Sequence, residues 1–258
     1  KTYNIPEAGR TAKGTPVVNI IEKSPEEKIS EIIPVKEFSD NEYLVMVTKN
    51  GVIKKTPASE YESIRKSGKI AITLKEGDEL ISIFKTTGND NIFLATRNGM
   101  AICFNENDAR AVGRTASGVK AIDLADGDYV VGAEPVREDS KVLLVTDGGY
   151  GKCTDLTSFR IQHRGGKGLK AYKITEKTGN IIGISMVNDS EELIMVTSEG
   201  VVIRIRIKDI ATTTGRITQG VRLINLEKRN DEIASVCKVL SESVDENLQD
   251  DNVTEVAE

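Results

Sequence analysis

The sequence predicts an all-β fold of small four-stranded sheets set radially as blades. Three observations predict it: an internal repeat of roughly 50 residues, a glycine-bearing hairpin turn at a fixed place in each repeat, and short apolar runs flanking those turns. One recurring segment reads GRTAKGTPVV (9–18), SIRKSGKIAITL (63–74), GRTASGVKAIDL (113–124), QHRGGKGLKAYKI (162–174) and GRITQGVRLINL (215–226). Its shared glycines, Gly14, Gly68, Gly118, Gly168 and Gly220, are 54, 50, 50 and 52 residues apart. A second segment reads YLVMVTKNGVIKKT (43–56), NIFLATRNGMAICF (91–104), KVLLVTDGGYGKCT (141–154) and ELIMVTSEGVVIRI (192–205). A third reads EGDELISI (76–83), DGDYVVGA (126–133), KTGNIIGI (177–184) and NDEIASVC (230–237).

Each unit converts into strands in order. TKNG, TRNG, TDGG and TSEG are hairpin turns, because glycine takes positive φ at little steric cost. The apolar run Leu193–Thr197 before the last of them reads as a strand covered on both faces. The strand after that turn alternates, with Val201, Ile203, Ile205 and Ile207 on one side and Arg204, Arg206 and Lys208 on the other. A basic glycine turn, a strand such as Val119–Leu124, an acidic turn and a last apolar strand complete the unit. That is four strands per unit, so each unit is expected to form one blade of a closed disc. The chain has no tryptophan and only 4% aromatics, so the WD40 and kelch propellers are excluded.

Composition bounds the function. No run of 18 apolar residues is present, and KTYNIPEAGR lacks the apolar core of a signal peptide. It also lacks an initiator methionine and opens in mid-pattern, so a portion of a longer protein is expected. Cys103, Cys153 and Cys237 are far apart and fit a reducing cytoplasm, with no metal-binding CxxC. The net charge is −5, but seven acids and no Lys or Arg lie between Val239 and Glu258, and removing those acids leaves +2 for residues 1–238. The expected organisation is therefore a β domain over 1–240 and a disordered acidic tail over 241–258.

The candidate chemistry lies in the basic turns. Arg10, Arg114, Arg164 and Arg216 each stand four residues before the shared glycine, and Arg65 stands three before it. Lys120, Lys170 and Arg222 follow the glycine by two, and Lys69 follows it by one. Cations flanking a glycine turn suit phosphate: glycine permits close approach and the side chains neutralise charge. Lys13, Lys66, Arg204 and Arg206 add to the same basic track. A structural role, each arginine bonding to a neighbouring blade, is the alternative for any single turn. The fourth copy, Gln162-His163-Arg164-Gly165-Gly166-Lys167-Gly168, packs two cations and three glycines into seven residues. It reads either as a phosphate clamp or as a flexible linker. Lys23, Lys28 and Lys177 read as ordinary solvated charge.

Enzymatic readings find little support. The first glycine of a nucleotide P-loop is replaced by Thr146 ahead of Gly151-Lys152, and His163 is the single histidine. Carboxylates such as those of Glu76-Gly77-Asp78 sit where turns favour them.

These segments resemble a known family. QHRGGKG is similar to the QRRGGKG box of the C-terminal domain of the DNA gyrase A subunit, and GRTASGVKAIDL, GYGKCT and KTYNIPEAGRTAKGTPVVN resemble that family too. The resemblance covers residues 1–240. It implies a six-bladed β-pinwheel that wraps duplex DNA around a basic rim, within a cytoplasmic, nucleoid-associated type IIA topoisomerase. That enzyme is an A2B2 assembly of gyrase A and gyrase B subunits, using ATP and Mg outside this chain to introduce negative supercoils. No cofactor and no catalytic residue is expected in this chain itself, which should be monomeric alone and have no membrane partner. None of the six tyrosines follows an arginine, as the family's cleavage tyrosine does. The family's principal box lies in the first blade, upstream of the region that KTYNIPEAGR resembles. The heptad here is a box-like echo with His163 in place of an arginine, and the first blade is expected to be incomplete. The rivals are the C-terminal domain of a topoisomerase IV A subunit, whose blades are degenerate and which lacks the box, and a propeller-type protein-interaction module, which would carry an apolar or mixed rim where these turns repeat cations.

Overall fold

The computed structural model describes residues 5–9, 11–24, 26–63, 67–226 and 231–240. The predicted hairpins all form. β1 (Tyr43–Thr48) pairs with β2 (Val52–Pro57), and β4 (Asn91–Thr96) pairs with β5 (Met100–Asn105). β8 (Lys141–Thr146) pairs with β9 (Tyr150–Asp155), and β12 (Glu191–Thr197) pairs with β13 (Val202–Arg206). On the inner edge of each hairpin lies the third segment of the same unit: β3 (Leu80–Thr86), β7 (Val130–Pro135), β11 (Ile181–Val187) or β16 (Ile233–Leu240). Each acidic turn braces a hairpin turn, as where the Asp78 carboxylate accepts the Asn50 N–H at 2.9 Å.

The outer edge is built differently from the expectation of one unit per blade. The segment around the shared glycine leaves its own blade and crosses to the outer strand of the blade before it. Thus β6 (Val119–Lys120) pairs with β2, β10 (Leu169–Lys170) with β5, and β15 (Val221–Arg222) with β9, beside β14 (Thr212–Thr213). Three strands of a complete blade therefore come from one unit and the fourth from the next. We call these crossing segments straps.

The number of hairpins corrects the expected six blades. The described residues form four sheets, because only four hairpins lie between Tyr43 and Arg206. Described residues before Tyr43 contain no strand, so the first turn motif latches no blade here. The fourth blade, β13-β12-β16, has no strap among the described residues, and Val202 on its edge is 64% exposed. Residues 241–258, read as a tail, lie outside the described residues.

The core lies between blades. Alternate side chains of a central strand pack on opposite neighbours: Ile92 and Leu94 of β4 pack toward blade 1, while Phe93 and Ala95 pack toward blade 3. In β8, Val142 and Leu144 pack toward blade 2, whereas Leu143 and Val145 pack toward blade 4. Period-two alternation thus serves two apolar layers, and each fully buried Leu or Ile contributes about 1.5–3 kcal/mol. β12 departs from the expectation of two covered faces: Leu193 and Met195 are buried but Ile194 and Val196 are only half-buried. No blade lies beyond it among the described residues. The side of β13 that carries Ile203 and Ile205 is half-buried and its arginines are exposed, as the alternation predicts. The inner strands pack in the order β3, β7, β11, β16. A small residue stands at the same register in each, Ser82, Gly132, Gly183 and Ser235. At Gly183 a Cβ would come 2.1 Å from Val236 of the next strand.

The shared glycine is explained by the strap. Gly118, Gly168 and Gly220 take φ of 86°, 74° and 68°, and a Cβ there would stand 2.5, 2.4 and 2.4 Å from a carbonyl oxygen of the outer strand. At Gly14 and Gly68, whose straps latch no described hairpin, nothing lies within 4 Å. Gly168→Ala should therefore destabilise the fold by about 2–3 kcal/mol, whereas Gly166→Ala, at an exposed position, should change it by less than about 0.5 kcal/mol. Equilibrium urea unfolding of the two variants measures the difference.

Candidate nucleic-acid interface

The straps run over the outer edges of the blades, and their cations fall into distinct geometric sets. The arginines four residues before the glycine pin one strap to the strap before it. Arg114 Nη1 donates to the Ile70 carbonyl at 3.2 Å, Arg164 Nη1 to that of Lys120 at 3.0 Å, and Arg216 Nη1 to that of Lys170 at 3.3 Å. Arg164 also donates from Nε to the Asp108 carbonyl at 2.8 Å. Each acceptor is two residues past the shared glycine of its strap, so one contact repeats around the rim.

The cations two residues past the glycine are placed outward. Lys120 pairs in register with Val52, Lys170 with Met100, and Arg222 with Tyr150, and all three are exposed. Lys120 Nζ sits 2.7 Å from the Asp123 carboxylate. That hydrogen bond and charge, with a smaller contribution from Lys167, hold the Asp123 carboxyl below its usual range. Arg222 Nε lies 3.2 Å from the Tyr150 hydroxyl, and its guanidinium stacks 5.7 Å from that ring. Lys177, read from sequence as ordinary surface charge, stands over the same ring at 5.8 Å.

The heptad is tied down at both ends rather than slack. The Gln162 N–H donates to Cys103 on the outer edge of blade 2 at 2.8 Å, Gly165 N–H to Ala121 at 2.7 Å, and Gly166 accepts from Asp123 N–H at 2.9 Å. The Gln162 Nε2 is buried without a hydrogen-bond partner among the described residues. His163 is exposed, its Nδ1 3.2 Å from Asp108, a carboxylate remote in sequence. Lys167 is exposed between the straps.

Other sequence candidates divide. Lys13 is exposed, and Lys69 Nζ donates to the Glu60 carbonyl at 3.0 Å. Arg204 and Arg206 lie on the edge of blade 4, away from the straps, paired with Glu192 and Asp209. Arg10, Arg65 and Lys66 lie outside the described residues. Sequence reasoning passed over two exposed arginines, Arg110 and Arg160. Their signal was available: each stands eight residues before a shared glycine.

It also passed over two buried lysines at equivalent places in β2 and β9. Lys152 Nζ donates to the Gly215 carbonyl at 3.3 Å and Thr218 Oγ1 at 3.1 Å, and also to the Arg216 carbonyl, clasping a strap from beneath. Lys54 Nζ donates to the Ala71 carbonyl at 2.6 Å and Thr56 Oγ1 at 2.7 Å. Burial lowers both lysines to about 8, helped by Arg216 beside Lys152 and Arg114 beside Lys54. Among the described residues, no group of three or more His, Cys, Asp or Glu is placed to hold a metal ion, and no helix is long and apolar enough to cross a membrane.

Radial sheets joined by strand exchange, with cationic straps outside, define a propeller-like domain whose outward face suits a polyanion. The chain belongs to the DNA gyrase C-terminal domain, beta-propeller family, whose model matches residues 1–36, 42–87, 90–137, 140–188 and 191–237. Each of the last four matched segments holds one hairpin, the glycine-turn segment that follows it, and all or most of the inner strand. It is 47% identical to the DNA gyrase A subunit of Clostridium acetobutylicum over 256 residues, and 54% identical to that of Halalkalibacterium halodurans over 255. These alignments cover 99% of this chain but 31% and 30% of those proteins. Among solved structures it resembles the C-terminal domain of DNA topoisomerase IV, with TM-score 0.82 at 30% identity, covering 89% of this chain and 71% of that one. It also resembles the DNA gyrase A C-terminal domain, with TM-score 0.78 at 26% identity, covering 89% and 76%.

The buried lysines give a pH signature. A folded value below the unfolded 10.5 means that the unfolded chain binds more protons, so stability should rise as pH climbs from about 8 toward 10.5. Below about 8 the cost of the buried charge is fully present. Lys152→Met should flatten its share of that rise, read as the difference in urea midpoint between the two proteins from pH 7 to 10.

Proposed function

We propose that this domain binds duplex DNA along its straps and bends it around the outer edges of the blades, as part of a gyrase A subunit. The observation that carries the proposal is the repeated outward cation. Lys120, Lys170 and Arg222 occupy one register on three consecutive outer edges, each held by a strand pair, with Lys167 exposed beside them. A repeated cation on a curved edge matches a phosphate backbone, and its contacts are blind to base identity. Bending a site of 20–30 base pairs by 40–90° costs about 1–6 kcal/mol, which several phosphate contacts can offset. Gln162, His163, Arg164 and the heptad glycines would present Lys167 and Lys170 to the backbone. Lys13, Lys69, Arg114, Arg216, Arg10, Arg65, Lys66, Arg204 and Arg206 would contribute positive potential, with their direct bonds to phosphate secondary.

In the complete enzyme, this wrap would deliver a neighbouring DNA segment with fixed handedness to a cleavage centre elsewhere in an A2B2 cytoplasmic assembly driven by ATP. A six-bladed disc would need two hairpins beyond the four described here. The topoisomerase IV reading is supported by the structural likeness. The sequence likeness favours gyrase, since the relatives of 47% and 54% identity are gyrase A subunits.

Binding of this chain to a linear duplex should weaken steeply with salt, with log K falling about 0.9 per neutralised phosphate for each decade of salt. A flat plot overturns the proposal. The Lys120–Asp123 pair competes with phosphate for the lysine, so Asp123→Asn should tighten binding about two- to fivefold at low salt, an advantage that shrinks as salt rises. Fluorescence anisotropy with a labelled duplex reads both effects.

A further inference from the structure

We infer that Arg110 and Arg160 form a second register of phosphate ligands, placed at the seams between consecutive blades. The inference rests on the DNA-binding reading and assigns that site residues its first register does not contain.

The neighbours of each arginine fix its place. Ala109 is buried in the apolar layer between blades 1 and 2, while Ala111 bridges to Lys55 on the outer edge of blade 1. Arg110 lies between them, where the chain steps from one blade to the rim of the one before. Phe159 is buried in the layer between blades 2 and 3, against Phe93 at 4.8 Å between ring centroids, and Gln162 bridges to Phe104 on the outer edge of blade 2. Arg160 follows Phe159 directly and occupies the equivalent seam. A buried residue on the N-terminal side and an edge contact just beyond leave each arginine side chain facing solvent at the rim.

Both side chains are exposed, and neither guanidinium forms a hydrogen bond or ion pair among the described residues. The contrast with the pinning arginines is chemical. Arg114, Arg164 and Arg216 give donors to backbone carbonyls, whereas Arg110 and Arg160 keep the whole guanidinium fork for an oxyanion. The two registers are separate in space. On blade 1 the strap meets the outer strand at Lys55 just after Arg110, and at Val52 where Lys120 stands. Those strand positions are three residues apart, about 10 Å. A duplex carries one charge per roughly 1.7 Å of axis, so cations that far apart engage different phosphates. The third seam breaks the pattern: Ala211 follows the buried Ile210, and Thr212, eight residues before Gly220, is paired with Cys153, so the second register is confined to the straps that carry Gly118 and Gly168.

The test is duplex binding by this chain across a salt series, beside its thermal unfolding. The double variant Arg110→Ala/Arg160→Ala should reduce the magnitude of the log K–log salt slope by about 1.8, which is 0.9 for each lost contact, with Tm within about 1 °C of wild type. Arg110→Lys/Arg160→Lys should restore most of the slope, since a phosphate contact needs the charge. Lys23→Ala/Lys28→Ala should leave it unchanged. A wild-type slope retained by the alanine variant overturns the second register while leaving DNA binding intact. A flat wild-type slope overturns the DNA reading beneath it. A slope lost in the alanine variant together with a large fall in Tm, and not restored by lysine, also overturns the inference, because the arginines would then be supporting the rim rather than touching DNA.

Discussion

The carbonyl of a hairpin-turn glycine is where one repeating unit takes hold of the next. The Gly51 oxygen accepts the N–H groups of Ala121 and Ile122 at 2.7 and 3.4 Å, Gly99 those of Ala171 and Tyr172 at 2.8 and 3.2 Å, and Gly149 those of Leu223 and Ile224 at 2.9 and 3.2 Å. The strap can reach that oxygen because its own glycine, three or four residues earlier, lies flat on the outer strand. Two glycines, one in the hairpin turn and one in the strap, thus set the relation of neighbouring blades. The strap also covers an edge strand that would otherwise present unpaired backbone groups, so the exchange joins units and blunts their edges together.

The latch explains where the charge lies. A segment that crosses the outside of a sheet has one face on the strand and one in water, and a cation two residues past the glycine is held on the wet face. Cations at two other registers are drawn into the fold. The arginine four residues before the glycine reaches the preceding strap, and Lys54 and Lys152 reach strap carbonyls from the buried side. A buried ammonium is tolerable only with such acceptors, and its lowered pKa records the residual cost. Basic residues that look alike in sequence therefore divide into those that hold the rim and those that stand on it. Asp123 lies between, close enough to Lys120 and Lys167 to moderate the field they present.

Blade 4 shows what the latch supplies by lacking it. Among the described residues no strap reaches β13, whose burial is lower throughout than that of β2, β5 or β9. The apolar layer on its inner side is still complete, with Leu193, Met195, Ile207 and Ile233 buried against blade 3. Core packing between blades and strap pairing at the edge are thus separable contributions, and a blade keeps the first when it loses the second.

The sequence by itself determined the class of fold, the period, the hairpins and the basic turns, because these depend on local chemistry: positive φ at glycine, period-two apolar runs, Asp and Gly in turns. It also made the family recognisable through the straps. The number of blades, the crossing of each strap to the preceding sheet, and the division between Arg114 and Lys120 or between Lys152 and Lys170 belong to the tertiary structure. A strap pairs with residues 66–72 positions earlier, and no local pattern in a two-residue strand names its partner. Ile102 and Lys152 occupy equivalent strand positions, yet only the arrival of a strap carbonyl shows why a lysine can be buried there. Sequence placed the cations in the turns; the path of the chain over the rim decided which of them face the solvent.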